Sequence, residues 1–134
     1  MKNLVKILAL VLALGMITVF AASCGGTKTV ETYFNSEEGK AEIEKVQEMF
    51  EGTLDVKVYA EGNEMYYDYA YTTTYDDATV EVLKETLAES LDTQASTFTS
   101  VVDAMEKEVD GEVTLTVIYR NGDDKVLAEK TFEN

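Results

Sequence analysis

A chain of 134 residues with 26 acidic and 11 basic side chains carries a formal charge of −15. Such a surface repels nucleic acid, whose phosphates are held by clusters of Lys and Arg. It contains no His and one Cys, which removes the commonest general base, the Ser-His-Asp and Cys-His nucleophilic arrangements and the usual zinc sites. Gly25-Gly26 is the only pair of adjacent glycines, so no glycine-rich phosphate loop is present. Composition thus points away from most enzymes and implies no cofactor.

The N-terminus has its own pattern. Lys2 and Lys6 precede an apolar run over residues 7–22, broken only by Gly15 and Thr18, which ends in Ala21-Ala22-Ser23-Cys24. The run is shorter than the ~20 residues of a membrane-spanning helix, and its length suits the core of a signal peptide. Cys24 is the chain's one cysteine, so it has no internal disulfide partner. The basic start, apolar core and small residues before the Cys resemble a bacterial lipoprotein signal peptide with its lipobox. Ala21 stands where that motif prefers Leu. The resemblance implies export, acylation on Cys24, and a lipid-anchored chain on the extracytoplasmic face of the cell membrane. An uncleaved anchor and ordinary secretion with a free thiol are the other readings. The expected division is a signal peptide over 1–23, lipidated Cys and polar tether over 24–34, and one domain over 35–134.

Once Lys2 and Lys6 are removed from the 11 basic residues, nine face 26 acidic ones, a balance of −17. That charge repels anionic headgroups, so attachment falls to the lipid rather than to electrostatics.

Along the domain, Asn35-Ser36-Glu37-Glu38 reads as a helix start in which Asn35 caps and Glu38, three residues on, reaches back as in a capping box. Ile43, Val46 and Phe50 recur at helical spacing up to Gly52, which predicts a helix over 36–51 whose first turns Gly39 weakens. Leu54, Val56, Val58 and Ala60 alternate with polar residues, as on a half-buried strand. Gly62-Asn63 supplies a tight turn, and Met65, Tyr67, Tyr69 and Tyr71 mark the returning strand. Asp76-Asp77 caps the next helical pattern. Its apolar residues, from Val80 through Leu83, Leu87, Leu91, Phe98, Val101 and Val102 to Met105, favour one long helix over 77–108 in preference to two that meet at the weak segment 92–97. Val113, Leu115, Val117 and Tyr119 form a third strand. Asn121-Gly122-Asp123-Asp124 is a hairpin signal, and the last strand runs over 125–132.

The fold class expected is α+β: a four-stranded antiparallel sheet with two helices on one face, in the order helix-hairpin-helix-hairpin, with the look of an αββ duplication. The inner face would take Leu54, Val56, Val58, Met65, Tyr67, Tyr69, Val113, Leu115 and Val117. The outer face would show Lys57, Tyr59, Tyr66, Thr114, Thr116, Ile118 and Leu127. Tyr59, Tyr66 and Ile118 are large apolar bodies on a face that solubility alone would make polar, and they are the candidate binding residues. Ordinary cross-strand packing is the competing reading. The acidic pairs Glu37-Glu38, Asp76-Asp77 and Asp123-Asp124 lack the spacing of a calcium loop and suit helix caps and turns. No metal ligand set and no catalytic residue is assigned.

The Ala21-Ala22-Ser23-Cys24 motif, the short tether, Tyr33-Phe34-Asn35-Ser36 and the turns at Glu61-Gly62-Asn63 and Asn121-Gly122-Asp123 together resemble small Firmicutes-type surface lipoproteins. These carry one domain of unknown function directly after the lipobox. The layout is also similar to the β-lactamase inhibitor protein-like fold. The resemblance implies no catalytic residue, and the outer-face aromatics lead to the expectation of a non-enzymatic surface lipoprotein that binds an envelope protein or peptide through its open sheet face. An inhibitor or regulator of an envelope enzyme, and an acidic ion- or solute-binding accessory protein, are the alternatives.

Overall fold

The computed structural model describes residues 29–109 and 111–134; the expected signal peptide, the expected acylation site Cys24 and the start of the expected tether, all within 1–28, and Asp110 lie outside them. In chain order the elements are α1 (Val30–Phe34), α2 (Glu37–Met49), β1 (Leu54–Glu61), β2 (Glu64–Tyr71), α3 (Asp77–Thr93), α4 (Ala95–Glu108), β3 (Thr114–Arg120) and β4 (Val126–Phe132). The α+β class holds, and each half of the domain has two helices followed by a hairpin.

Strand order is β1-β2-β3-β4. The two hairpins are antiparallel, but β2 and β3 run parallel, with Met65 opposite Leu115 and Tyr69 opposite Tyr119. The sheet is therefore mixed, not purely antiparallel as the pattern of strands suggests. The cause is the connection: α3 and α4 carry the chain back along the sheet, so β3 starts at the end where β2 started.

The expected long helix is two. At Gln94 the backbone turns to φ −95° and ψ 11°, and this residue closes α3 and opens α4. Its carbonyl accepts from the N–H groups of Thr97 and Phe98 at 2.9 and 3.1 Å. The bend lets both apolar stripes, Leu83, Leu87 and Leu91 on α3 and Phe98, Val101, Val102 and Met105 on α4, reach one core. Each such side chain, once fully buried, stabilises the fold by about 1.5–3 kcal/mol.

The segment assigned to the tether up to residue 34 is helical from Val30, and Val30, Tyr33 and Phe34 are buried. Helix α1 is tied to the β1–β2 turn: Val30 N–H donates to Asn63 Oδ1 (3.1 Å), Glu31 N–H to Gly62 O (2.9 Å), and Gly62 N–H to Glu31 Oε1 (3.1 Å). In that turn Gly62 has φ 58°, whereas Asn63 does not need positive φ and spends its side chain on α1 instead. Ser36, not Asn35, caps α2, accepting from Gly39 N–H at 3.1 Å. Gly39 does more than weaken the helix. A Cβ there would lie 2.1 Å from Tyr33 O, so glycine is what lets α1 fold back on the start of α2.

The β3–β4 turn departs from a simple Asn-Gly type. Positive φ falls on Asp124 (71°), and Asn121 is buried. Its amide bonds both backbone groups of Tyr75, at 2.9 and 3.1 Å, and so fixes the start of α3 to the hairpin. Asp76 caps α3, accepting from Thr79 N–H at 2.8 Å, and the Thr79 side chain together with that N–H holds its carboxyl below the ordinary value. Leu127 was expected on the outer face. A bulge between Tyr119 and Arg120 shifts the register, and Leu127 joins the core.

Tyrosine is the material of the inner face. Tyr67, Tyr69, Tyr71 and Tyr119 are buried, with the Tyr69 and Tyr119 rings 5.2 Å apart. Among the described residues the hydroxyls of Tyr69, Tyr71 and Tyr119 meet no hydrogen-bond partner. Burial pushes all four phenols well above their ordinary range. A phenol of raised pKa keeps its proton in the folded state where the unfolded chain gives it up. Stability is complete below the unfolded value near 10 and falls as pH rises above it, by about 1.4 kcal/mol per pH unit for each buried Tyr.

Two outcomes follow. With a typical total stability of about 5–15 kcal/mol, the four phenols together unfold the domain cooperatively at about pH 11–13. Tyrosinate absorbance and far-ultraviolet circular dichroism change together there, and smooth ionisation of the buried tyrosines in a still-folded domain would contradict their burial. Gly39→Ala, which in an ordinary helix stabilises by about 1 kcal/mol, here destabilises by about 1–3 kcal/mol, as read by denaturant titration.

Candidate functional site

The face of the sheet away from the core presents the odd-numbered residues of β1 and the even-numbered residues of β2 and β3. Their register sets three rows. Tyr59, Tyr66, Thr116 and Thr131 form one; Lys57, Asp68, Ile118 and Glu129 the next; Asp55, Ala70, Arg120 and Val126 the third.

In the first row the rings of Tyr59 and Tyr66 stack at 4.9 Å between centroids and 15° between planes. They are cross-strand neighbours because the two-residue turn at Gly62-Asn63 places them opposite each other. Tyr59 is 41% exposed and Tyr66 half-buried. The Tyr66 hydroxyl donates to Glu64 Oε2 at 3.5 Å. Its pKa is raised by partial desolvation, and Glu64 and Glu61 add to the effect. The row continues through the hydroxyls of Thr116 and Thr131, 2.9 Å apart.

Ile118 shares this face and lies diagonally across from Tyr66 on β3, but it is only 6% exposed. It was expected to offer an exposed apolar body and does not. In register it sits between Asp68 and Glu129, with Arg120 two residues along its own strand, so it supports the face from beneath longer polar side chains.

The residue pair missed from the sequence is Asp68–Arg120. Arg120 is the chain's one arginine, and its Nε donates to both carboxylate oxygens of Asp68, at 2.9 and 3.2 Å. Nη1 donates to Asp124 O at 3.2 Å. The bond to Asp68 is the first cause of the raised guanidinium pKa. A buried carboxylate such as Asp68 needs this partner, since an unpaired charge there would be strongly destabilising. A lone Asp within a tyrosine-rich strand was the available signal, but its partner depended on the parallel β2–β3 register. Asp55, Lys57, Asp68, Ala70, Arg120 and Asp124 line a shallow cleft of 270 Å³ beside the tyrosine pair.

The face thus offers a stacked aromatic platform next to a fixed ion pair. It can bind by apolar contact and hydrogen bonding. Among the described residues no group of three or more acidic, His or Cys side chains is placed to hold a metal ion. None of the described helices is long and apolar enough to cross a membrane.

The chain belongs to the DUF4854 family, a domain of unknown function, whose family model matches residues 30–132. That span starts at the first residue of α1 and ends at the last of β4, in agreement with Val30 as part of the packed unit. No curated protein and no solved structure matches the chain.

Aromatic stacking of this kind contributes about 0.5–1.5 kcal/mol beyond burial. The Tyr59→Ala/Tyr66→Ala double variant therefore stays folded and loses no more than about 2 kcal/mol, measured by thermal unfolding. A larger loss would mean that the pair is part of the structural framework.

Proposed function

We propose that this chain is a membrane-anchored extracytoplasmic lipoprotein, acylated on Cys24, whose domain is a non-enzymatic module that binds a protein or peptide of the cell envelope through its open sheet face. The observation that carries the reading is the exposed Tyr59–Tyr66 stack on the solvent side of a sheet whose other side already holds the core. Large aromatics that are not needed for packing are the residues on which binding energy concentrates. The Asp68–Arg120 pair beside them is already formed, so a partner does not have to order it.

The short segment between Cys24 and Val30 supports the same reading. The five intervening residues, six backbone steps from Cys24 to Val30, reach at most about 20 Å when extended, so an anchored domain would search only the layer next to the bilayer. A charge of −17 beyond the signal sequence keeps it off anionic lipid.

The test is photo-cross-linking in native membranes with three forms of the full-length chain: unaltered, Tyr59→Ala/Tyr66→Ala, and Cys24→Ser. The unaltered chain yields a discrete cross-linked partner. The double tyrosine variant loses it, with an affinity weaker by about 30-fold, as for truncation of aromatic hot spots of about 2 kcal/mol. Cys24→Ser takes up no labelled palmitate and leaves the membrane fraction. Equal capture by the unaltered chain and the tyrosine variant would sink the sheet-face reading, and membrane retention of Cys24→Ser would sink the lipid anchor.

A further inference from the structure

The two edges of the sheet are not alike. Edge strands expose unpaired N–H and C=O groups, and proteins guard them with bulges, covering elements or charge. Strand β4 carries a bulge at its start, and its Lys130 is tied by an ion pair to Asp92 on α3. Strand β1 pairs with β2 over all eight of its residues without a bulge.

The direction of the β1 backbone groups can be read from the ladder. In an antiparallel pair, residues alternately face the partner and face away. Thr72 N–H donates to Thr53 O at 3.2 Å, so the odd-numbered residues face β2. Leu54, Val56, Val58 and Ala60 therefore point their N–H and C=O groups outward. Leu54 N–H is met by Phe50 O at 2.9 Å, and Val56 O by the side chain of Gln47 at 3.0 Å. Among the described residues the outward groups of Val58 and Ala60 and the N–H of Val56 make no hydrogen bond outside the sheet.

The element beside this edge is the least embedded of the long helices. Helix α2 buries only Gly39 and leans on the core through the half-buried Ile43 and Val46, and its last residue, Met49, is 70% exposed. Between α2 and the first half of β1 runs an open groove of 670 Å³. Its charged lining is Glu44, Glu48, Glu51 and Asp55, with no basic residue.

We propose that this groove captures an extended, lysine- or arginine-rich peptide segment, which adds to β1 as a fifth strand. Backbone groups of the segment pair with the outward groups of Val56, Val58 and Ala60, and its basic side chains meet the four carboxylates. Strand addition at an exposed edge beside a helix is a general mode of peptide recognition, in which main-chain bonds supply affinity and the flanking side chains supply selectivity. The charge selects the occupant: a second copy of this acidic chain would bring like charge to the edge, whereas a basic segment neutralises it. Gln47 holds the Val56 carbonyl in the free protein and gives it up to the incoming strand. The acidic lining of the groove includes neither Tyr59 nor Tyr66, and the proposal does not depend on the role of that stack.

The experiment uses the full-length chain in neutral detergent micelles and a labelled eight-residue peptide that alternates lysine with valine, followed by fluorescence anisotropy. A second peptide of the same sequence, N-methylated at every residue, has the same charge but no backbone N–H on either edge with which to add as a strand. The unmethylated peptide is expected to bind at least tenfold more tightly. Glu48→Lys/Glu51→Lys, at two exposed positions, weakens it at least tenfold. Equal binding of the two peptides, absence of binding by both, or undiminished binding by the glutamate variant would each overturn the proposal.

Discussion

The parallel pairing of β2 with β3 is the constraint on which the rest of the domain depends. Each hairpin alone is a local structure that its turn residues specify, and a lone two-stranded hairpin is marginal in water. Joined through β2–β3, the two become one sheet with a continuous inner face, from Leu54 and Val56 through the tyrosines of β2 to Leu115, Val117 and Phe132. The pairing also brings Arg120 within reach of Asp68, two strand positions away from Tyr66, and so builds the polar half of the outer face. It leaves β1 as an outer strand, far from the crossover helices.

The helices divide accordingly. Helices α3 and α4 bury leucine, valine and phenylalanine stripes and close over the second hairpin, where the Phe98 and Phe132 rings stack 4.9 Å apart. Helices α1 and α2 cover the first hairpin differently. The short α1 is locked to the Gly62-Asn63 turn by hydrogen bonds, while α2 is held at its ends, by Ser36 and Gly39 at one and by Gln47 and Phe50 at the other. A domain built in this way has a firm half and a more open half. The open half contains both the exposed tyrosine stack and the unguarded edge.

Much of this was legible. Alternation in 54–60 and 65–71, with a two-residue turn between, fixes Tyr59 opposite Tyr66 by arithmetic alone, and the structure has them stacked. The buried tyrosines of β2 follow from the same alternation. Other features were not legible, each for a local reason. Ile118 has the right parity for the outer face, but its cover comes from neighbours on β2 and β4 whose register no local pattern states. Leu127 has the wrong parity for the core and reaches it through a bulge. Gly39 looked like a weak point in a helix because its reason is a backbone oxygen from the preceding helix, 2.1 Å from where its Cβ would stand.

The sequence by itself determined the α+β class, the two hairpins, the register of the first, the helical character of 37–49 and of most of 77–108, and the pairing of Tyr59 with Tyr66, because those rest on short-range periodicity and turn chemistry. It also carries the basic, apolar and small-residue pattern ahead of Cys24. Tertiary structure alone decided the parallel join, the division of the long helix at Gln94, the Asp68–Arg120 pair and the contrast between guarded and open edges. These depend on contacts between residues some fifty positions apart, as with Asp68 and Arg120. A chain crossing over helices can meet its sheet in either direction, and only packing of the whole core selects between them.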